Sequence, residues 1–311
     1  IREGDEVILP SYTFVSSVNA FVLRGAKPIF VDINPFTLNI DEQDIISKIT
    51  NKTKAILVVH YAGSSCDMKK VINIAKKKNI FIIEDAAQSL ISYYDQNPLG
   101  SIGDLGCLSF HETKNIQSGE GGALIINNSK FIERAEILRD KGTNRVQFSQ
   151  GKVDKYSWVD IGSSYLPSEL IAAFLYSQLE ESISITKNRV ETWNIYYENF
   201  KDIKQENFYI QKVPGFNKIN GHIFFMILPN VKLRNNFIKM LYNKSIESTF
   251  HYIPLHNSPY FKKTFGSPPI LNKTESIYKR IVRLPIWSSR DLPVQQIIKS
   301  TIEVFEELNF L

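Results

Sequence analysis

Two short stretches combine residue types that could do chemistry together. In the first, Ile80-Phe81-Ile82-Ile83-Glu84-Asp85-Ala86-Ala87-Gln88, four apolar residues run straight into two acids. Ligands of open α/β sheets sit beyond the carboxyl ends of the strands. An acid there can meet a ligand, and the small Ala86 and Ala87 leave room for one; a solvated strand end is the alternative reading. In the second, Cys107-Leu108-Ser109-Phe110-His111-Glu112-Thr113-Lys114-Asn115, a strand ends near Phe110 and leads into a loop carrying Lys114. The turn Ser118-Gly119-Glu120-Gly121-Gly122 follows, and its glycines let the backbone fold tightly. A lone loop lysine is ordinarily a solvated charge. Here a buried-looking strand delivers it to the sheet edge that also receives Asp85.

A carboxylate after one inner strand and an amine after the next meet the needs of pyridoxal 5'-phosphate. That cofactor takes a lysine for its Schiff base and a carboxylate opposite its pyridine nitrogen. The carboxylate keeps the nitrogen protonated, and the ring then serves as an electron sink. The lysine acts as nucleophile and as the base that moves the proton.

These residues need a frame. Short apolar runs recur at Glu6–Leu9, Pro28–Asp32, Ala55–His60, Ile80–Asp85, Leu105–Phe110 and Gly122–Ile126. Little alternation within them predicts strands buried on both faces. Between them Asp41 precedes Ile45, Ile46 and Ile49, and Asp67 precedes the stripe Met68, Val71, Ile72 and Ala75. Both read as capped helices. Strands alternating with helices predict an α/β fold with a mostly parallel sheet. The texture changes near Pro167: Ser168 to about Phe200 reads as long and helical, and shorter strands, helices and Pro-rich loops follow. We expect a large domain over residues 1–189 and a smaller α+β domain over 190–311.

The totals narrow the function. The chain has 311 residues, 43% hydrophobic and 22% charged, which predicts a globular protein with a sizeable core. Net charge is +5, with 32 acids against 37 bases, and no basic stripe interleaved with aromatics predicts nucleic-acid binding. A mild positive bias suits an anionic small substrate. Cys66 and Cys107 give no disulfide framework, no run approaches a membrane span, and no metal site is expected. The expected location is the cytoplasm. The opening Ile1-Arg2-Glu3-Gly4-Asp5-Glu6 reads as a helix tail, a glycine stop and a strand, so a segment upstream is expected; a processed terminus is the alternative.

Several motifs in order carry a resemblance. Glu84-Asp85-Ala86-Ala87-Gln88, Ser109-Phe110-His111-x-x-Lys114 and Gly119-x-Gly121-Gly122 resemble those of the DegT/DnrJ/EryC1/StrS aminotransferases. So do Gly4 to Phe14, Val59-His60-Tyr61-Ala62-Gly63, Tyr252-Ile253-Pro254-Leu255-His256 and Arg283-Leu284-Pro285. The resemblance implies the type I fold of pyridoxal-phosphate-dependent aminotransferases. It implies Lys114 as the Schiff-base lysine and Asp85 as partner of the pyridinium. Gln88 would lie near the phenolic oxygen, Ser109 would donate to the phosphate, and Phe14 would stack on the ring or pack in the core. His60 would sit near the substrate or as a satisfied core histidine.

A narrower likeness runs through His111 to Asn115, Lys141 to Arg145, Val153 to Trp158 and Asp160 to Ser168. It points to the branch that makes dTDP-4-amino-4,6-dideoxygalactose for enterobacterial common antigen. That branch uses L-glutamate to aminate C4 of dTDP-4-dehydro-6-deoxyglucose. Arg145, Lys155, Tyr156 and Trp158 become candidates for the nucleotide-sugar pocket, with Arg for diphosphate and aromatics for a sugar or base face. His251 and His256 flank Pro254 and are candidates to close it. Many family members reach the partner subunit's phosphate with an Asn just before the long helix. Ser163-Ser164 stands there instead, so Ser164 offers a shorter reach. A homodimer or higher homo-oligomer is implied by the same likeness. The family's phosphate-cradling Gly-Thr turn would lie upstream of residue 1. Alternatives are an aminotransferase giving the gluco 4-amino epimer or a 3-amino sugar, and a noncatalytic protein that keeps the fold.

Overall fold

The computed structural model describes residues 1–289 and 291–311. The apolar runs become strands β1 (Glu6–Pro10), β2 (Lys27–Val31), β3 (Thr53–Val59) and β4 (Phe81–Asp85). A small hairpin, β5 (Tyr93–Tyr94) and β6 (Asn97–Pro98), precedes β7 (Leu105–Ser109) and β8 (Gly122–Ile126). Six of these form one sheet in the order β2-β1-β3-β4-β7-β8. Every pairing is parallel except β7 with β8, which is antiparallel. β4 and β7 are therefore neighbours, with Asp85 in register with Cys107, and both strands end at the same sheet edge.

Helices α1 (Ser16–Val22), α2 (Glu42–Lys48) and α3 (Met68–Lys76) connect the parallel strands. Asp41 caps α2 by accepting from the Gln43 N–H, and Asp67 caps α3 by accepting from Lys70. The apolar stripe of α3 packs Met68, Val71 and Ala75 onto Ile56, Val58 and Ile82 of the sheet. Opposite, Val18 and Phe21 of α1 pack with Val7, Leu57 and Val59. The central strands are thus buried on both faces, as their unbroken apolar runs require.

The chain then forms α4 (Ile132–Arg139), α5 (Arg145–Ser149), α6 (Glu169–Glu180) and α7 (Ser182–Phe200). The expected helix from Ser168 to Phe200 is two helices, with Glu181 between them in a non-helical conformation. Ser168 caps α6 by accepting from Ile171. α7 runs unbroken through residue 190, where the sequence suggested a domain boundary.

The last third is α+β. Strands β9 (Tyr209–Ile210), β11 (Phe224–Ile227) and β12 (Ile281–Leu284) make an antiparallel sheet, and β10 (Asn217–Lys218) joins β5 and β6. Helices α8 (Val231–Asn243), α9 (Pro259–Phe265), α10 (Asn272–Ile277) and α11 (Val294–Glu307) complete it. Trp193, Tyr196, Phe200, Phe224, Phe237 and Phe305 form a separate aromatic core there. Among the described residues no helix is long and apolar enough to cross a membrane.

Candidate active site

β4 places two adjacent acids on opposite faces of the sheet, by the two-residue period of a strand. Glu84 points inward and is wholly buried. Its Oε1 accepts from the N–H groups of Ile102 (2.7 Å) and Gly103 (2.6 Å), and its Oε2 from Gly100 (2.8 Å). The same Oε2 lies 2.8 Å from His60 Nε2. His60 Nδ1 accepts from the Cys66 N–H, so Nε2 carries the ring proton and donates to Glu84. His60 is therefore a satisfied core histidine that ties the end of β3 to β4 and to the loop before β7.

Asp85 faces the other way. Its Oδ1 accepts from the Ala87 N–H at 3.1 Å, and its Oδ2 accepts from Ser17 Oγ at 2.6 Å. Ser17 Oγ is in turn 2.8 Å from Thr13 Oγ1. A hydroxyl chain from the start of α1 thus fixes the carboxylate orientation.

Lys114 sits in a loop closed by its own backbone. Phe110 N–H donates to Gly121, Ser118 N–H to Phe110, and Glu112 N–H to Gly119. Gly119 has φ +77°, which a residue with a side chain rarely adopts. A clamp from the C-terminal region holds the next residue. Asn115 Nδ2 donates to the Asn220 carbonyl at 3.1 Å, and Asn115 Oδ1 accepts from His222 Nδ1 at 2.8 Å. Asn220 is locked in turn, donating to the carbonyls of Gln88 and Leu90. It approaches Gly63 so closely that a Cβ there would meet Asn220 Oδ1 at 2.1 Å. Burial pushes the Lys114 amine below its ordinary value, while the Asp85 charge acts in the opposite direction.

Lys114 and Asp85 line one cavity of about 830 Å³. Phe14, Gln88, Ser109 and His251 line it with them. Phe14 is 58% exposed, so its ring is at the cavity wall rather than in the core. Gln88 accepts from the Ala62 N–H and donates to Tyr252 Oη. His251 stacks on Tyr252 with ring centroids 3.6 Å apart, and its Nδ1 lies 2.6 Å from Tyr61 Oη.

The other candidates lie outside the cavity lining. His256 is buried between Ser11 Oγ (2.6 Å) and Glu275 Oε1 (2.9 Å). Arg145 is an exposed residue 4.0 Å from the Asp140 carboxylate. Lys155 is exposed, Tyr156 packs on Phe148, and Ser164 bridges to Asp140 in an exposed segment. Trp158 is 79% exposed, its indole N–H donating to the Asp160 carbonyl. In their place Arg189 of α7, His222 and Arg283 of β12 line the wall, none of them foreseen there from sequence. Thr13 and Ser17 were likewise missed, because two hydroxyls near a helix start carry no long-range signal.

Residues 1–302 match the DegT/DnrJ/EryC1/StrS aminotransferase family. The chain belongs to that family. It is 33% identical to GDP-perosamine synthase of Escherichia coli O157:H7, over 93% of this chain and 76% of that protein. It is 36% identical to dTDP-3-amino-3,6-dideoxy-alpha-D-galactopyranose transaminase of Aneurinibacillus thermoaerophilus, over 91% of this chain and 74% of that protein. Among solved structures, the PLP form of Spr1654 from Streptococcus pneumoniae superposes with a TM-score of 0.89 at 25% identity, covering 99% of this chain and 82% of that one. The fold is that of the pyridoxal-phosphate-dependent sugar aminotransferases, and pyridoxal phosphate is the cofactor. The cavity fits it: an amine of depressed basicity, an oriented carboxylate and an uncovered aromatic ring share one wall system.

Proposed function

We propose that this nucleotide-sugar aminotransferase moves the amino group of L-glutamate to C4 of dTDP-4-dehydro-6-deoxy-D-glucose. The products are dTDP-4-amino-4,6-dideoxy-D-galactose and 2-oxoglutarate. The convergence of Lys114 and Asp85 on one cavity carries the aminotransferase part of this reading. When bound, the cofactor supplies an electron sink for the carbanion formed at the amino-bearing carbon.

Lys114 is the lysine that holds the cofactor. Its burial leaves the amine neutral more readily than an exposed lysine, so its Nζ can take a proton from the donor carbon and return it. Asp85, oriented by Ser17 and Ala87, faces the ring nitrogen. Ser109 is assigned to the phosphate, Gln88 to the phenolic oxygen and Phe14 to the ring face. Arg145, Lys155, Tyr156, Trp158 and Ser164 belong to this proposal as residues offered to a second subunit's site, since they lie on an exposed segment. Beyond that segment Leu170, 84% exposed, and Phe174, one turn further along α6, face solvent, as do Tyr176 on α6 and Ile183 on α7. Large apolar side chains left exposed along one stretch of chain support a homodimer or higher homo-oligomer. Two free cysteines suit a reducing compartment, and we place the reaction in the cytoplasm, feeding a glycan such as enterobacterial common antigen.

The relatives named for GDP-perosamine and for a dTDP-3-amino sugar favour a second reading, in which the nucleotide or the aminated carbon differs. Incubating the full-length protein with glutamate and, separately, dTDP-4-dehydro-6-deoxyglucose, a GDP-4-keto sugar and a dTDP-3-keto sugar, then identifying products by NMR, separates the readings. An amine at C4 of the dTDP sugar in galacto configuration supports ours. An amine elsewhere, or only on the GDP sugar, overturns the substrate assignment.

A further inference from the structure

His222 is held from two directions. Arg189 of α7 donates from Nη2 to the His222 carbonyl at 2.9 Å and from Nε to the Gly221 carbonyl at 3.2 Å. The His222 N–H donates to Asn220 Oδ1 at 3.1 Å, and its ring meets Asn115, the residue after Lys114, at 2.8 Å. The side chain lines the cavity that holds Lys114 and Asp85. An imidazole fixed this firmly presents one defined edge to a ligand and costs little to order when one binds.

Its tautomer follows from a chain of forced assignments. The Asn220 carbonyl can only accept, so the Asn115 atom 3.1 Å from it is the amide nitrogen. The Asn115 atom facing the imidazole is then the oxygen, and His222 Nδ1 must carry the proton that it donates there. Burial, and after it the Arg189 and Lys114 charges, hold the ring well below its ordinary basicity, so no second proton joins the first. Nε2 is left as a bare lone pair. Among the described residues it has no protein partner, and it is not one of the polar atoms sealed from solvent. The cavity wall therefore carries an acceptor whose polarity the protein itself has set.

We propose that His222 Nε2 accepts a hydrogen bond from a ring hydroxyl of the keto sugar. The inference rests on the nucleotide-sugar reading above. Two substrates visit the cavity in turn, and each brings a donor. The amino-acid donor brings an ammonium, a cation that would have to approach a wall already carrying Arg189 and Arg283. Like charges brought together out of water oppose that approach. A sugar hydroxyl is neutral and meets no such opposition, and glutamate has none outside its ionised carboxyl groups. The lone pair thus tells one substrate from the other, and a sugar without the matching hydroxyl leaves it unpaired.

The test uses the full-length holoenzyme, wild type and His222→Asn. Asparagine keeps an N–H near the place of Nδ1 and so spares the Asn115 contact, while the acceptor on the far side of the ring is gone. The KM for the keto-sugar nucleotide should rise roughly 3- to 10-fold, with the KM for glutamate and the bound-cofactor absorbance at their wild-type values. Analogues of the keto-sugar nucleotide that each lack one ring hydroxyl locate the donor. Titration calorimetry without glutamate, where no turnover occurs, should show one of them binding wild type more weakly by a similar factor. His222→Asn should add no further loss on that analogue. The wild-type titrations need no variant, so they decide the matter even where His222→Asn does not fold. Equal affinity for the parent and every such analogue overturns the inference, as does a loss that falls on glutamate or two losses that add. A wild type that aminates no keto-sugar nucleotide overturns the nucleotide-sugar reading and this inference together.

Discussion

In Glu84→Gln one carboxylate oxygen becomes an NH2 group in a site with no solvent. Glu84 Oε1 serves Ile102 and Gly103, and Oε2 serves Gly100 and His60. Whichever way the amide turns, its NH2 faces two N–H donors. A tautomer switch at His60 does not help, because its Nδ1 already accepts from Cys66. Two buried donors therefore lose their acceptor, at about 1–3 kcal/mol each, or roughly 2–6 kcal/mol together. Against a typical folding stability of about 5–15 kcal/mol this is a large loss, and Tm should fall by several degrees. The pH dependence has a definite sign. Burial pushes the Glu84 carboxyl up, but His60 and the Gly103 and Gly100 N–H groups outweigh it and hold it below its usual value of 4.5. Its stabilisation is thus present above that value and is lost as pH falls through the lower folded-state value. Thermal denaturation from neutral pH downward should show a wide gap between wild type and Glu84→Gln that narrows in acid. Equal Tm values at neutral pH, or a gap that stays constant in acid, refute the reasoning.

Three further outcomes follow from the same coordinates. Ser17→Ala removes the 2.6 Å donor to Asp85 Oδ2 and should weaken pyridoxal-phosphate affinity by roughly tenfold, read by fluorescence titration. Lys114 titrates below its ordinary 10.5 because it is buried, and Asp85 works against that shift. Asp85→Ala should therefore lower the apparent pKa for reaction of the apoprotein's Lys114 with an amine-selective reagent, followed by peptide mass spectrometry across pH. Leu170→Asp places a charge at an 84% exposed apolar position of α6. It should shift sedimentation toward the monomer while leaving the far-UV circular dichroism unchanged.

Much of the frame was readable because the central strands are buried on both faces. Runs such as Ile80–Asp85 and Gly122–Ile126 lie within a residue of β4 and β8 as folded. The ends of β4 and β7 then follow from parallel pairing, which is why Asp85 and Lys114 could be matched before any coordinates. That β8 turns antiparallel was not readable, since its apolar run looks like its neighbours'. The roles of polar residues were harder still. His60 and His256 sit in motifs, yet each is consumed by a carboxylate, the buried Glu84 or the half-buried Glu275, and only the tertiary packing reveals this. Arg283 stood in view as part of Arg283-Leu284-Pro285, but that its Nε has no partner among the described residues is a property of three-dimensional space. The segment from Arg145 to Ser164 carries many chemically able side chains. Their exposure in a single subunit explains why motif spacing alone could not place them in the cavity.

We propose that Lys114, lining the same cavity as Asp85, is the residue that carries the cofactor. Borohydride reduction of the full-length holoenzyme fixes the cofactor to its lysine, and peptide mass spectrometry then reads the position. The mass increment should fall on the peptide containing Lys114, with none on any peptide of the Lys114→Ala protein. An increment on a different lysine, or one that persists in Lys114→Ala, contradicts it.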